Sequence, residues 1–122
     1  MATSIIMGQI RTGLYGVQVS VVEGAVVGRC TAYLQGNLLT INAAINLTGM
    51  SFANDDVIFT IDGYKSLGWM DFWAESENDP TKRLKCFCRG QNLIRFSAVA
   101  GSVSSNLSGF YDFHVTFPVV PV

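Results

Sequence analysis

Three segments of this chain alternate apolar and polar side chains with a period of two, and this alternation limits the fold more than any other feature of the sequence. The segments are 15–21, 38–48 and 111–117. Neighbouring residues of a β-strand point to opposite faces, so each segment can place one face on a hydrophobic core and the other toward water or a partner. No segment carries a sustained 3.6-residue apolar stripe. The pattern predicts an all-β protein.

Further strands are predicted between these three by shorter stretches that alternate or are rich in aromatic and β-branched residues. They are 26–34, 57–61, 68–74, 83–89 and 93–100. Turn dipeptides such as Gly36-Asn37, Asp62-Gly63 and Ser108-Gly109 separate the stretches. About eight strands at a spacing of about 8–12 residues predict a single antiparallel β-sandwich or jelly roll.

The 122 residues are expected to form one domain, because the chain is too short for two ordinary domains. Residues 1–12 are expected to be either an N-terminal arm or an edge strand. Pro118 and Pro121 are expected to end the last strand and to leave 118–122 as an extended tail. The polar stretch 75–82, which contains Pro80, is predicted to be an exposed loop.

Composition and charge exclude several classes of protein. Hydrophobic residues make up 49% of the chain and charged residues only 14%, against about 25% charged in an average soluble protein, so the chain is too apolar to be disordered. The formal net charge of −1 gives no field that attracts nucleic acid or an anionic membrane. No apolar run approaches the ~18 residues of a membrane helix, and the N-terminus lacks a signal-peptide pattern. We therefore expect no nucleic-acid or membrane partner and folding in a cytoplasm.

The residues that could carry catalysis or bind a metal do not form a recognisable site in the sequence. Cys86 and Cys88 lie two apart on one predicted strand, ~6.6 Å between Cα atoms, which is close to the upper limit for a disulfide. A zinc site needs a fourth ligand and another spacing. His114 shares a strand face with Asp112 but has no nucleophile elbow beside it. We predict no enzyme activity, no metal, no cofactor and three free thiols.

The cluster of aromatic residues at 69–73 is the least expected feature of a half-buried strand, and it says most about contacts with other molecules. Trp69, Phe72 and Trp73 crowd one predicted strand, so apolar groups must point to both of its faces. A two-layer sandwich has one inner face per sheet, and a strand that is apolar on both sides indicates a second contact surface. The pattern predicts an oligomer or an assembly component. The alternative is a β-bulge near Gly68 that turns both indoles inward.

Charged residues accompany these aromatic side chains. The candidate contact residues for a protein or a glycan are Trp69, Phe72, Trp73, Glu75, Arg83 and Lys85. Indole rings stack on sugar rings, and carboxylates accept hydrogen bonds from sugar hydroxyls. Basic residues interleaved with aromatic ones also resemble a platform for single-stranded nucleic acid, but the net charge of the chain disfavours that interpretation.

Three stretches resemble a known group of proteins. They are QGNLLTINAAINL (35–47), VIFTIDGY (57–64) and GFYDFHVTFP (109–118). A Gly-Asn turn into an alternating strand, a strand that ends near Gly-Tyr and a late aromatic strand resemble the terminal β-sandwich modules of bacteriophage tail fibres and receptor-binding heads. The resemblance spans about two-thirds of the chain. It implies a non-enzymatic virion protein that is usually trimeric and contacts other virion proteins, such as a major capsid or tail protein.

A free-standing domain of this size is also the format of phage capsid decoration (cement) proteins. We therefore expect a virion structural protein, folded in the host cytoplasm, that acts by protein–protein contacts on the capsid. The alternative is a receptor-binding or adhesion head that recognises a cell-surface glycan. A small enzyme or a nucleic-acid module is a third hypothesis, for which the sequence holds less support.

Overall fold

The computed structural model describes residues 3–5, 9–11 and 14–122, and its described side chains begin at residue 15. Every regular element in these residues is a β-strand, as the alternation predicted. The strands are β1 (Thr3–Ile5), β2 (Gln9–Arg11), β3 (Leu14–Gly16), β4 (Val19–Val21), β5 (Val26–Gln35), β6 (Leu38–Asn46), β7 (Val57–Ile61), β8 (Tyr64–Ser66), β9 (Trp69–Ser76), β10 (Arg83–Arg89), β11 (Leu93–Ser97) and β12 (Phe110–Pro121). The described part of the chain contains no helix that could cross a membrane.

All neighbouring strands of the sheet are antiparallel. Their order is β1-β4-β7-β11-β10-β9-β12-β6-β5-β3-β2, and β8 pairs with β12. Strands β1 and β2 lie at the two ends of this order, yet only three residues separate them in the chain. Such a connection reaches about 14 Å. The sheet must therefore curl until its two edges come close together.

A contact between two aromatic rings shows the same curl. Phe59 of β7 and Phe113 of β12 pack edge to face with ring centroids 5.0 Å apart. Three strands lie between β7 and β12 in the sheet order, so their side chains meet only if the sheet folds over itself. The antiparallel, all-β part of the prediction is thus confirmed, and what the structure shows is one curled sheet.

The hydrophobic core lies inside this curl and is built by the predicted alternation. On β6, Leu39, Ile41 and Ile45 are fully buried. On β12, Tyr111, Phe113 and Phe117 are buried, while His114 and Thr116 between them are exposed. Burial of each large apolar side chain contributes about 1.5–3 kcal/mol to stability.

The described residues form twelve strands where about eight were predicted, because segment 15–21 divides into two strands and because β1, β2 and β8 lie outside the eight predicted strands. Segment 15–21 was expected to be one strand. Its first part, in β3, pairs with β5, whereas its second part, β4, pairs with β7. The described parts of 1–12, namely β1 and β2, are strands at the ends of the sheet, and the rest of 1–12 lies outside the described residues.

The prediction that Pro118 ends the last strand is wrong. β12 continues to Pro121, and its residues 119–121 lie opposite β8. The carbonyl oxygen of Pro118 accepts a hydrogen bond from the Leu67 amide, and the Val119 amide donates to the carbonyl oxygen of Asn37. Proline has no backbone N–H but keeps its carbonyl oxygen as an acceptor. The hydrogen-bonded pairing of β12 therefore continues past Pro118, because the residues beside it supply the N–H groups. Segment 118–122 is extended, as expected, but most of it is paired.

Candidate functional site

One face of β9, β10 and β11 points away from the core and carries most of the charged side chains of the described strands, together with both tryptophans. We call it the outer face. Its residues are Trp69, Asp71, Trp73, Glu75, Arg83, Lys85, Phe87, Arg89 and Arg95. The strand register places Lys85 opposite Trp73 and Arg89 opposite Trp69. The inner residues between them on β10 are Leu84, Cys86 and Cys88, all buried, as strand geometry requires.

Both tryptophans belong to the outer face. Trp69 is 80% exposed, and Trp73 is half-buried. Pairing of β9 with β10 runs from Arg83 opposite Glu75 to Arg89 opposite Trp69 without a register shift. The alternative in which a bulge near Gly68 turns both indoles into the core is therefore wrong.

Cations lie over these aromatic rings. The guanidinium carbon Cζ of Arg83 is 4.3 Å from the centroid of the Trp73 ring, and Lys85 Nζ is 4.9 Å from it. Arg89 Cζ is 4.7 Å from the Trp69 ring centroid and 4.6 Å from that of Phe87. Such contacts are worth about 0.5–1 kcal/mol each at exposed sites. They hold the long basic side chains against the rings of the sheet.

Arg89 is fixed further by an ion pair. Its Nη2 donates to Asp71 Oδ1 at 3.0 Å, and its Nη1 donates to the carbonyl oxygen of Met70 at 3.3 Å. An exposed pair of this kind contributes at most about 1 kcal/mol to stability. Its main effect is on the geometry, because it fixes the guanidinium between two rings.

Five of the six predicted contact residues come together on the outer face. These are Trp69, Trp73, Glu75, Arg83 and Lys85. The sixth, Phe72, is on the opposite side of β9 and packs against the core. An even position on β9 cannot share a face with odd ones, so the structure does not bring Phe72 to the other five.

The sheet opens beside Trp73. β9 and β12 pair as far as Glu75 opposite Asp112, and β8 and β12 pair from Ser66 opposite Val119. Between these points, eight residues (67–74) on one side face six residues (113–118) on the other. The two extra residues bow β9 away from β12, as a large bulge does. The result is a fork between the two strands.

A pocket of about 880 Å³ occupies the mouth of this fork. We call it the fork pocket. Its lining residues are Arg29, Trp73, Glu75, Ser76, Glu77, Pro80, Asp112 and His114. Three carboxylates, a guanidinium and an imidazole thus line the pocket together with the indole of Trp73. This lining suits a polar ligand better than an apolar one. Sequence reasoning did not group these residues, because Arg29 reaches the site only through the pairing of β5 with β6 and of β6 with β12.

Asp112 and Glu77 interact within the fork pocket. Arg29 Nη2 is 3.7 Å from Asp112 Oδ1, an oxygen that is sealed from solvent and has no hydrogen-bond donor. The pKa of Glu77 is raised, first by a hydrogen bond shared with Asp112, then by desolvation and by the negative charge of Asp112, while Arg29 acts in the opposite direction. A neighbouring carboxylate thus disfavours the charged form of Glu77.

The remaining candidates for catalysis have other structural roles. Cys86 and Cys88 are buried and free, and Cys30 is half-buried and free. Burial raises the pKa of Cys30 and of Cys86, so these two groups are thiols rather than nucleophilic thiolates. Ser76 Oγ accepts hydrogen bonds from the amides of Asn78 and Asp79 and so closes a turn. Within the described residues, no three metal-ligating side chains cluster.

The chain matches no protein-family model, no curated protein and no solved structure. The fold and the site therefore define this protein by class. It is an all-β protein with a cation-covered aromatic sheet face beside a carboxylate-lined pocket.

Proposed function

We propose that this protein is a non-enzymatic structural protein of a bacteriophage virion surface, a capsid decoration protein that acts through protein–protein contacts. The virion assignment rests on the resemblance of 35–47, 57–64 and 109–118 to phage fibre heads. The same resemblance is the source of the trimer in this proposal, and the two-layer sandwich rests on strand number and spacing as well as on the resemblance. The contact role rests on one observation, the 80% exposure of Trp69 on the outer face.

Exposure of this indole is costly unless a partner covers it. A tryptophan side chain can bury 150–250 Å², so covering Trp69 contributes about 4 kcal/mol at 25 cal/mol per Å². Trp and Arg are also the residues that dominate measured binding energies in protein interfaces. The outer face presents both tryptophans, each beneath an arginine: Arg89 lies over Trp69 and Arg83 over Trp73.

A decoration protein stabilises a particle by mass action. A ligand that binds only the assembled shell shifts the equilibrium away from the disassembled one. The partners in this proposal are further copies of the chain and a capsid or tail protein. Nucleic acid, membrane and cofactors have no part in it, and the protein folds in the host cytoplasm before it joins the virion.

Particle binding tests this proposal. The purified protein is added to capsids that lack it, and co-sedimentation and the melting temperature of the particles are measured. We expect wild-type protein to sediment with the capsids and to raise their melting temperature. Trp69→Ser should lose both effects and keep its circular dichroism spectrum, whereas the control Leu67→Ser, also at an exposed apolar residue but off the outer face, should keep both. Binding by Trp69→Ser at wild-type strength would contradict the proposal.

The fork pocket favours a second candidate function, recognition of a host glycan by a receptor-binding head. Trp73 offers an aromatic surface, and Glu75, Glu77 and Asp112 offer acceptors for sugar hydroxyls. Single sites of this kind bind weakly and gain strength through multivalency. Binding of a multivalent display of the protein to host cells tests it. Asp112→Asn should reduce that binding at least tenfold, and Asp62→Asn, at an exposed turn residue far from the pocket in the chain, should leave it unchanged.

A further inference from the structure

We propose that the outer face pairs with the same face of a second copy of this chain across a two-fold axis. The inference rests on the proposed function, in which copies of the chain contact one another. It assigns that contact to a two-fold pair instead of the trimer, and the pair must dissociate before the same face can bind the capsid. It is carried by the distribution of charge on the outer face and in the fork pocket.

The charges of this surface divide into two halves. The basic half is formed by Arg83, Lys85, Arg89 and Arg95 on β10 and β11. The acidic half is formed by Glu75, Glu77 and Asp112 at the fork between β9 and β12. Asp71 pairs with Arg89 and Arg29 pairs with Asp112, and each half still keeps an excess of its own sign.

Trp73 lies at the boundary between the two halves. Its ring is covered by Arg83 and Lys85 of the basic half, and it also lines the fork pocket of the acidic half. A two-fold axis close to Trp73 would set each basic half over the acidic half of the other copy. An isologous contact of this kind is closed and self-complementary, because every contact occurs twice.

The charge pattern favours a second copy over other occupants. Phosphates of a nucleic acid would meet the carboxylates of the acidic half, so only part of the surface could take part. A glycan would fill the fork pocket and leave Trp69, 80% exposed, uncovered. A second copy matches both halves at once and covers both indoles.

The size of the surface places the contact among the small interfaces. Four strands about 4.8 Å apart, with some seven residues of about 3.3 Å each, give at least roughly 450 Å² per copy. A pair therefore buries on the order of 1,000 Å² in total, at the lower end for specific interfaces. We expect a reversible dimer with a dissociation constant in the micromolar range.

Charge reversal in matched halves tests this inference. Arg83→Glu with Lys85→Glu reverses two charges of the basic half, and Glu75→Lys with Glu77→Lys reverses two charges of the acidic half. Sedimentation equilibrium of each protein, and of their equimolar mixture, is measured from about 1 to 100 µM. Controls are Lys65→Glu and Asp62→Lys, which reverse exposed charges of β8 and of the β7–β8 turn. Circular dichroism confirms the fold of every variant.

We expect the wild-type protein and both controls to form the dimer. Each double variant should self-associate at least about tenfold more weakly, and the equimolar mixture of the two double variants should form the dimer again. A wild-type protein that stays monomeric at 100 µM overturns the inference. So does a dimer or trimer that is insensitive to both reversals, because its interface then lies elsewhere. Capsid co-sedimentation of the same proteins separates the two proposals, since a monomer that still binds capsids contradicts only the pairing.

Discussion

The ring of Phe110 lies so close over Gly28 that a Cβ atom at position 28 would fall 2.6 Å from Phe110 Cε1 and 3.1 Å from the carbonyl oxygen of Ala44. Gly28 is also the extra residue of a bulge, because the register of β5 against β6 shifts between Val27 and Arg29. Glycine in a strand interior often marks such a close approach. Here it sets the position of Arg29, which reaches Asp112 in the fork pocket.

Gly28→Ala should therefore lower the free energy of unfolding by about 1–3 kcal/mol, the usual cost of adding a methyl group to a packed site. Urea denaturation measures the change, with the slope of the transition as a check on compactness. Gly68→Ala is the matched control, because a Cβ there meets nothing within 4 Å and the backbone is not in the left-handed region. Equal stabilities for the two variants would show that Phe110 does not pack on Gly28.

The alternation of 38–48 and 111–117 was enough to predict β6 and β12 and the buried side of each. It was enough because side-chain direction in a strand depends only on parity, which the sequence displays. The same rule separates Trp69 and Trp73 from Phe72. All three aromatic residues were predicted to be contact residues because they lie close together in the sequence. That prediction ignored that Phe72 is at an even position and the two tryptophans at odd ones.

The fork between β9 and β12 could not be predicted. It depends on two extra residues in 67–74 relative to 113–118, a comparison that has meaning only once the pairing at both ends is known. Arg29 enters the pocket for a similar reason, since it is 83 positions from Asp112 in the chain and the register of two intervening ladders brings it there. Pairing register is a property of the whole sheet, and local pattern does not contain it.

Glu77 and Asp79 should respond to pH in opposite directions. The pKa of Glu77 is higher in the folded protein than in the unfolded chain, where it is about 4.3. The stability that this group contributes is therefore fully present at a pH below the unfolded-state pKa, and it is lost as the pH rises through the folded-state pKa. Glu77→Gln should therefore stabilise the protein at pH 7, and the gain should vanish near pH 4. Thermal unfolding across this range measures it.

The hydrogen bonds that Thr81 donates to Asp79 lower the pKa of Asp79, so its contribution is present above its unfolded value and is lost as the pH falls. Asp79→Asn should destabilise the protein at pH 7 and lose that effect on acidification. A lower melting temperature of Glu77→Gln at pH 7 would contradict the raised pKa of Glu77, and a higher melting temperature of Asp79→Asn would contradict the lowered pKa of Asp79.

The cysteines should behave as three buried or half-buried thiols. Cys86 and Cys88 have no solvent exposure, and Cys88 Sγ donates to the carbonyl oxygen of Gln91 at 3.0 Å. A thiol reagent should find three thiols per chain after denaturation without reductant. In the native protein it should react with Cys30 alone, and slowly, because burial raises the pKa of that thiol. Fewer than three thiols in the denatured protein would demonstrate a disulfide.

The central claim is that Trp69 is the contact residue of the outer face, and its own fluorescence tests this most directly. The chain has two tryptophans, so Trp73→Phe leaves Trp69 as the sole indole emitter and keeps a ring beneath Arg83 and Lys85. Acrylamide quenching of this variant is measured free and after binding to capsids that lack the protein. We expect strong quenching in the free monomer, measured at a concentration well below the dissociation constant of the pair, where Trp69 is 80% exposed. We expect a severalfold smaller quenching constant with blue-shifted emission in the capsid-bound protein. Unchanged quenching and emission in protein that has bound the capsid would contradict the claim.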